Sequence, residues 1–301
     1  MKRENKISKF TEKYFPYILE APALIIIFIL ALFPLFYALR MALHETILTN
    51  PGSHPFAGLN NFREALNKDP MVWYSLKNTA IFTVSAVSLE MVLGCAIAFL
   101  LNRKIKFQGL VRGLLLLPMA CAPIAVGLVW RYMYHPDFGV FNFFCSALGL
   151  AERNWLGDVS TAMLSLVVFD VWQWTPFIIF VVLAGLQALP GEPFEAAEVD
   201  GASRWQIFKT LTFPMLAPLL IFVLILRTID ALRFYDPIYA LTRGGPGTTT
   251  ETITWYLYKI GFKFFNMGYA SSIAFIFLYA VIILSAVLVA VLKSFSLEEG
   301  G

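Results

Sequence analysis

The chain has 301 residues, 58% hydrophobic and 14% charged, with a net charge of +3 and a mean hydropathy of +0.70. A soluble domain carries about 25% charged residues, so lipid rather than water surrounds most of this one. The basic residues lie between apolar runs rather than in one patch, which gives no nucleic-acid surface. Cys95, Cys121 and Cys145 lack the spacing of a disulfide framework or a zinc site.

Six runs reach the roughly 20 mainly apolar residues that a bilayer span needs: 17–39, 75–101, 109–134, 159–186, 212–234 and 269–292. The first follows a basic head with Lys2, Arg3, Lys6, Lys9 and Lys13. Its apolar run is too long for a cleaved signal peptide and no small-residue cleavage site follows, so it reads as a retained anchor. The tight 102–112 connection adds Arg103, Lys104, Lys106 and Arg112 with no acid. By the positive-inside rule both segments are cytoplasmic, an even number of spans puts the C-terminus there too, and 40–74, 135–158 and 235–268 lie outside. The expected organisation is an all-α integral membrane protein. A cytoplasmic basic segment 1–16 precedes a six-helix domain 17–293, and a cytoplasmic tail 294–301 follows it.

The polar connection 187–211 between the fourth and fifth spans holds the most local information. Pro193 suits the first turn of a helix, and Glu192, Glu195 and Glu198 favour its positive end. Ala196 and Ala197 are compact helix formers. Gly201 can take the left-handed conformation that ends the helix, after which Ser203 can cap a second helix carrying Trp205, Ile207 and Phe208. A compact knob of this shape can enter a groove on a partner, or it can lie on the membrane surface as an amphipathic loop.

Glu195-Ala196-Ala197, Asp200-Gly201-Ala202, then Leu211 and Pro214 resemble the EAA loop of ABC importer permeases. The resemblance implies a type I ABC importer (MetI-like) permease fold, with Glu195, Ala196, Ala197, Asp200, Gly201 and Ala202 docking into a cleft of a cytoplasmic ATPase. Leu241-Thr-Arg-Gly-Gly-Pro-Gly-Thr, with Glu251-Thr and Phe265 to Ala270, is similar to carbohydrate importers of the maltose-transporter type, specifically the first of their two unlike permeases. The extra N-terminal helices and large external domain of the maltose permease are missing, which weakens any inference that maltose is the substrate. The Gly244–Gly247 turn is expected to form an external hairpin near the pathway mouth, where a binding protein docks.

Charges inside a span are costly and face a cavity or a partner. Glu90 lies midway along the second span and is read as structural. In the fourth, Asp170, Gln173, Trp174 and Phe177 recur at helical spacing, and acceptors beside aromatic planes suit sugars. The resemblance places the Trp172–Phe177 stretch at substrate. Trp172 and Phe177 match its aromatic pair, whereas Gln173 and Trp174 depart from it. In the fifth span Arg227 and Asp230, three apart, can neutralise each other, or Asp230 accepts sugar hydroxyls. Phe234 stands where the family has a substrate-contacting polar residue.

The chain has no GxxxxGK[ST] phosphate loop, so it is expected to bind no cofactor, with ATP and Mg used by a partner ATPase. His44, His54 and His135 lie outside the spans and form no HExxH or other catalytic motif. The implied role is a non-catalytic subunit in a prokaryotic inner membrane. Its expected partners are a second unlike permease, two ATPase subunits, an external binding protein, lipid and a carbohydrate. The competing readings are a glycerol phosphate importer, for which Arg227 and Arg233 would serve, and an ion-coupled secondary transporter using Glu90, Asp170 or Asp230. The paired broken helices of the latter are not evident.

Overall fold

The computed structural model describes residues 4–298 apart from 51, 53, 104 and 105. The side chains of Lys2, Arg3, Lys6, Lys9, Lys13 and Lys104, and of the tail 294–301, lie outside the described set. Five helices are long and apolar enough to cross a membrane: Leu19–Ala42 (α1), Pro70–Leu101 (α2), Ala162–Ala188, Arg204–Leu241 and Met267–Ala290. A bent pair, Gln108–Ala120 (α3) and Pro123–Met133 (α4), makes a sixth candidate. Among the described residues the only extended pairings are two isolated bridges, His44–Phe56 and Ile47–Asn266.

The third span departs from the sequence expectation of one run over 109–134. Its two helices meet at 97°, because Cys121 and Ala122 are both extended (ψ 145° and 127°). Proline explains the break. Pro123 disfavours a helical residue before it and starts α4 with its fixed φ.

Ala162–Ala188 (α5) is followed by the short helix Glu192–Val199 (α6), then by Phe213–Leu232 (α7) and Asp236–Leu241 (α8). The chain divides into two compact units, residues 1–69 with 257–276 and residues 70–256 with 277–301. In the first, the loop after α1 is tied down by polar bonds. Asn61 Nδ2 donates to the carbonyls of Ala42 (2.8 Å) and His44 (3.1 Å), Gly268 N–H donates to Thr46 O, and Tyr269 Oη donates to Asp69 at 2.7 Å. None of the apolar window of α1 is buried within the chain, and Leu30 and Phe33 are largely exposed.

The second unit is built on α2 against α5 and α7. Ala98, Ile178, Val182, Leu183, Leu216 and Val223 form its buried core. In a bilayer the solvent between helices is as apolar as their side chains, so close packing drives association and small residues mark the contact. Gly94 is such a residue: a Cβ there would fall 2.6 Å from Ile178 Cγ2. Gly94→Val is therefore expected to overpack the α2–α5 contact and cost about 1–3 kcal/mol, read as a lowered Tm of the purified complex. An unchanged Tm would mean that α5 does not approach α2 this closely.

Candidate functional site

Four charged side chains from three helices of the second unit, α2, α5 and α7, converge. Arg227 of α7 is 2% exposed, and it donates from Nε to Glu90 Oε2 (2.8 Å) and from Nη2 to Glu90 Oε1 (2.9 Å). Nη2 also reaches Asp170 Oδ2 at 3.0 Å, and Nη1 reaches Asp230 Oδ2 at 2.6 Å. The guanidinium carbon lies 5.0 Å from the Trp174 ring centroid, within cation–π range. One arginine thus serves carboxylates of α2, α5 and α7 and stacks on an indole. Its planar fork of five donors is the side chain suited to that task.

The three carboxylates are not equivalent. Glu90 and Asp170 are 0% and 1% exposed, whereas the Asp230 side chain is 43% exposed. Asp230 Oδ1 has a loose contact with the exposed Arg233 at 3.5 Å. Two cavities flank the group. One of about 280 Å³ is lined by Pro123, Asp170, Trp174, Asp230, Arg233 and Phe234 among others. The other, about 290 Å³, includes Trp174, Phe177, Arg227, Asp230 and Arg233.

The structure sorts the residues singled out from sequence. Asp170, Trp174, Phe177, Asp230 and Phe234 each line at least one of the two cavities. Phe234 is largely covered and stacks on Phe82 with centroids 4.0 Å apart. Trp172 and Gln173 line neither. Trp172 points away, 41% exposed, with its ring 5.2 Å from Trp130. Gln173 is buried, and its Nε2 donates to Cys121 O at 3.3 Å, serving a carbonyl that the α3–α4 break removes from the helix ladder. Sequence reading pairs Arg227 with Asp230 alone and leaves Glu90 without a named partner. The signal available was charge arithmetic: Glu90, Asp170 and Arg227 are isolated charges in apolar runs, and opposite charges in a bilayer seek each other.

The polar connection after α5 has the conformation its residues dictate. α6 begins with Pro193 in its first turn and ends at Asp200. Gly201 stands at φ +77°, while Ala202 N–H donates to Ala197 O and Gly201 N–H to Glu198 O, a glycine-terminated helix end. Ser203 and Gln206 then form a capping box that starts the helix Arg204–Ile207. Glu195, Ala196 and Asp200 are exposed, and Ala197 and Ala202 half-buried. At the bend Val199 is 88% and Trp205 70% exposed, an apolar tip whose cover from its own chain is slight: Trp205 stacks on Phe208 with centroids 5.5 Å apart.

After α8 the chain turns through Arg243, Gly244 and Gly247, all at positive φ. The turn is held by Thr250 Oγ1 donating to Gly245 O (2.6 Å) and by Asn78 Nδ2 donating to Thr248 O and Glu251 O (both 3.1 Å). It is a closed loop rather than the expected hairpin, since no ladder flanks it.

Residues 90–295 match the family described as binding-protein-dependent transport system inner membrane component. The trehalose/maltose transport system permease protein MalF of Thermococcus litoralis is 39% identical over 282 residues, covering 93% of this chain and 94% of that one. The lactose transport system permease protein LacF of Rhizobium radiobacter is 32% identical over 272 residues, 88% of this chain and 89% of that one. A chain of a bacterial ABC transporter involved in import of the acidic polysaccharide alginate superposes with a TM-score of 0.82. It covers 96% of this chain and 99% of its own at 20% identity, a likeness that speaks to the fold. With the family matched over two thirds of its length, and relatives of its own size matched nearly end to end, the chain belongs to the binding-protein-dependent inner membrane components, the membrane-embedded permeases of ABC importers.

Proposed function

We propose that this permease forms half of the translocation pathway for an uncharged sugar, oligosaccharide or polyol, delivered by an external binding protein. The observation that carries the reading is the Trp174–Asp230 pair, which offers an aromatic plane and a half-exposed carboxylate to the same two cavities. Sugar rings present apolar C–H faces to the first and hydroxyl donors to the second. Trehalose/maltose and lactose in the names of the relatives agree with this chemistry. The phosphate reading is disfavoured: of the two arginines lining the cavities, Arg227 is already committed to three carboxylates and Arg233 lies 3.5 Å from Asp230. A charge-carrying role for Glu90 or Asp170 loses support for the same reason.

The remaining half of the pathway belongs to a second, unlike permease. Two cytoplasmic ATPase subunits, which bind the ATP and Mg, take the α6–Gly201 knob into their clefts, and the chain itself holds no cofactor and catalyses no reaction. The orientation that fits is N- and C-termini in the cytoplasm of a prokaryotic cell, with the Gly244–Gly247 turn outside.

The test is ATP hydrolysis by the complete complex in nanodiscs, with each candidate binding protein and a panel of neutral and phosphorylated sugars. One neutral ligand is expected to stimulate hydrolysis, and, with the same complex in proteoliposomes, Asp230→Asn to slow uptake of that ligand by about tenfold, the loss of one charge-assisted hydrogen bond. Stimulation by a phosphorylated ligand alone would overturn the substrate class, and undiminished uptake by Asp230→Asn would remove Asp230 from the pathway.

A further inference from the structure

The first unit carries a pocket that none of the above employs. It lies at the end of α1, has a volume of about 140 Å³, and is lined by Tyr37, Arg40, Met41, His44, Thr46 and His54. That is below the roughly 300–1,000 Å³ of sites for whole small-molecule ligands, so it suits a headgroup-sized moiety rather than a disaccharide. No carboxylate lines it, and Arg40 forms no ion pair among the described residues.

The location is set by the apolar run that precedes the pocket. Residues 21–39 carry no charge and span about 28 Å at a rise of 1.5 Å per residue, close to a hydrocarbon core of about 30 Å. Arg40, the first charge after that run, therefore lies at the level of lipid phosphates, with Tyr37 about one turn before it. Because no part of the α1 apolar window is buried within the chain, lipid has access to this end of the helix.

The pocket is also preorganised. His44 Nδ1 lies 2.7 Å from Arg40 O. A carbonyl only accepts, so Nδ1 carries the proton in that bond, and in the neutral imidazole Nε2 is then the acceptor. The His44 ring is braced edge-on by Phe56, with centroids 5.4 Å apart, and its backbone carbonyl is held by Asn61. The lining therefore presents a guanidinium for phosphate oxygens, an imidazole acceptor for a hydroxyl, and a tyrosine of the kind that favours the interface.

We infer that this pocket binds the headgroup of an anionic phospholipid that carries both a phosphodiester and free hydroxyls, the chemistry of phosphatidylglycerol. Arg40 takes the phosphate, and His44 Nε2 accepts from a glycerol hydroxyl.

Native mass spectrometry of the complete complex, released from phosphatidylcholine nanodiscs prepared with and without phosphatidylglycerol, tests this. The parent is expected to retain phosphatidylglycerol selectively, Arg40→Gln to bind it about five-fold more weakly, the effect of one arginine at an anionic surface, and Arg40→Lys to keep it. Intact assembly with the partner subunits shows that each variant is folded. Equal retention by the parent and Arg40→Gln overturns the proposal, as does displacement of the lipid by inorganic phosphate, which would make this a free-anion site. Loss of the sister permease from Arg40→Gln with lipid retention unchanged also overturns it, by assigning the surface to that subunit. None of these outcomes depends on which sugar the complex imports.

Discussion

Arg227→Met is expected to abolish assembly of the permease into the complex. The substitution leaves Glu90 and Asp170 ionisable and buried with no cation, and breaking a buried ion pair from one side costs about 3–5 kcal/mol, a large share of a domain's stability. Arg227→Lys keeps the charge but cannot fork to three carboxylates or stack flat on Trp174, so an intermediate yield is expected. The triple variant Arg227→Met, Glu90→Gln, Asp170→Asn removes the three buried charges together and leaves the half-exposed Asp230. A buried ionic group replaced by neutral side chains of similar volume is often tolerated, and assembly is expected to return toward the parent level. The measurement is the yield of complex in size-exclusion chromatography of fluorescently tagged permease. If the single variant assembles normally, the four-charge cluster is not what joins α2, α5 and α7.

Val199→Asp is expected to leave assembly in the membrane intact and to reduce ligand-stimulated ATP hydrolysis by about tenfold, the equivalent of roughly 1.4 kcal/mol at an interface. At 88% exposure Val199 touches little of its own chain, so its loss costs the fold almost nothing. A partner that buries the tip would meet a carboxylate instead. Gly201→Val is the companion variant. Nothing lies within 4 Å of a Cβ at Gly201, so the harm is conformational, about 1–2 kcal/mol for a side chain in the left-handed region, and it falls on the angle between α6 and the helix Arg204–Ile207. Basal hydrolysis by the ATPase subunits reports their integrity. Full stimulation in both variants would remove the knob from the coupling pathway.

These two regions differ in how far the sequence reveals them. The knob is legible because every device in it is local. Pro193, Gly201, Ser203 and Gln206 act on neighbours within a few residues, so spacing alone specifies helix, turn and helix. The ion cluster is not local: Glu90 and Arg227 are 137 residues apart, and no periodicity connects one span to another. Charge within an apolar run marks each residue as needing a partner, but the partner depends on which helices pack together. Asp170, Trp174 and Phe177 follow the four- and three-residue steps of one helical face and do meet at the cavities. Trp172, two residues before Trp174, belongs to the opposite side. The spans themselves are visible in hydropathy, which measures composition and is blind to direction, so the continuous apolar stretch 109–134 gives no sign of turning. The signals of the turn are local ones that hydropathy does not register, Pro118 and Pro123 on either side of the break.

That turn has a consequence for the surroundings of the chain. The break leaves the carbonyls of the last turn of α3 and of Cys121 outside the helical ladder, and hydrocarbon has no donor to offer them, whereas the Ala122 carbonyl accepts from the N–H groups of Ala125 and Val126. Gln173 answers the carbonyl of Cys121, yet Cys121 itself remains exposed. A lipid tail against that backbone would leave its polar groups unpaired at several kcal/mol each. The elbow of the third span is therefore expected to face water or another subunit rather than an unbroken annulus of acyl chains.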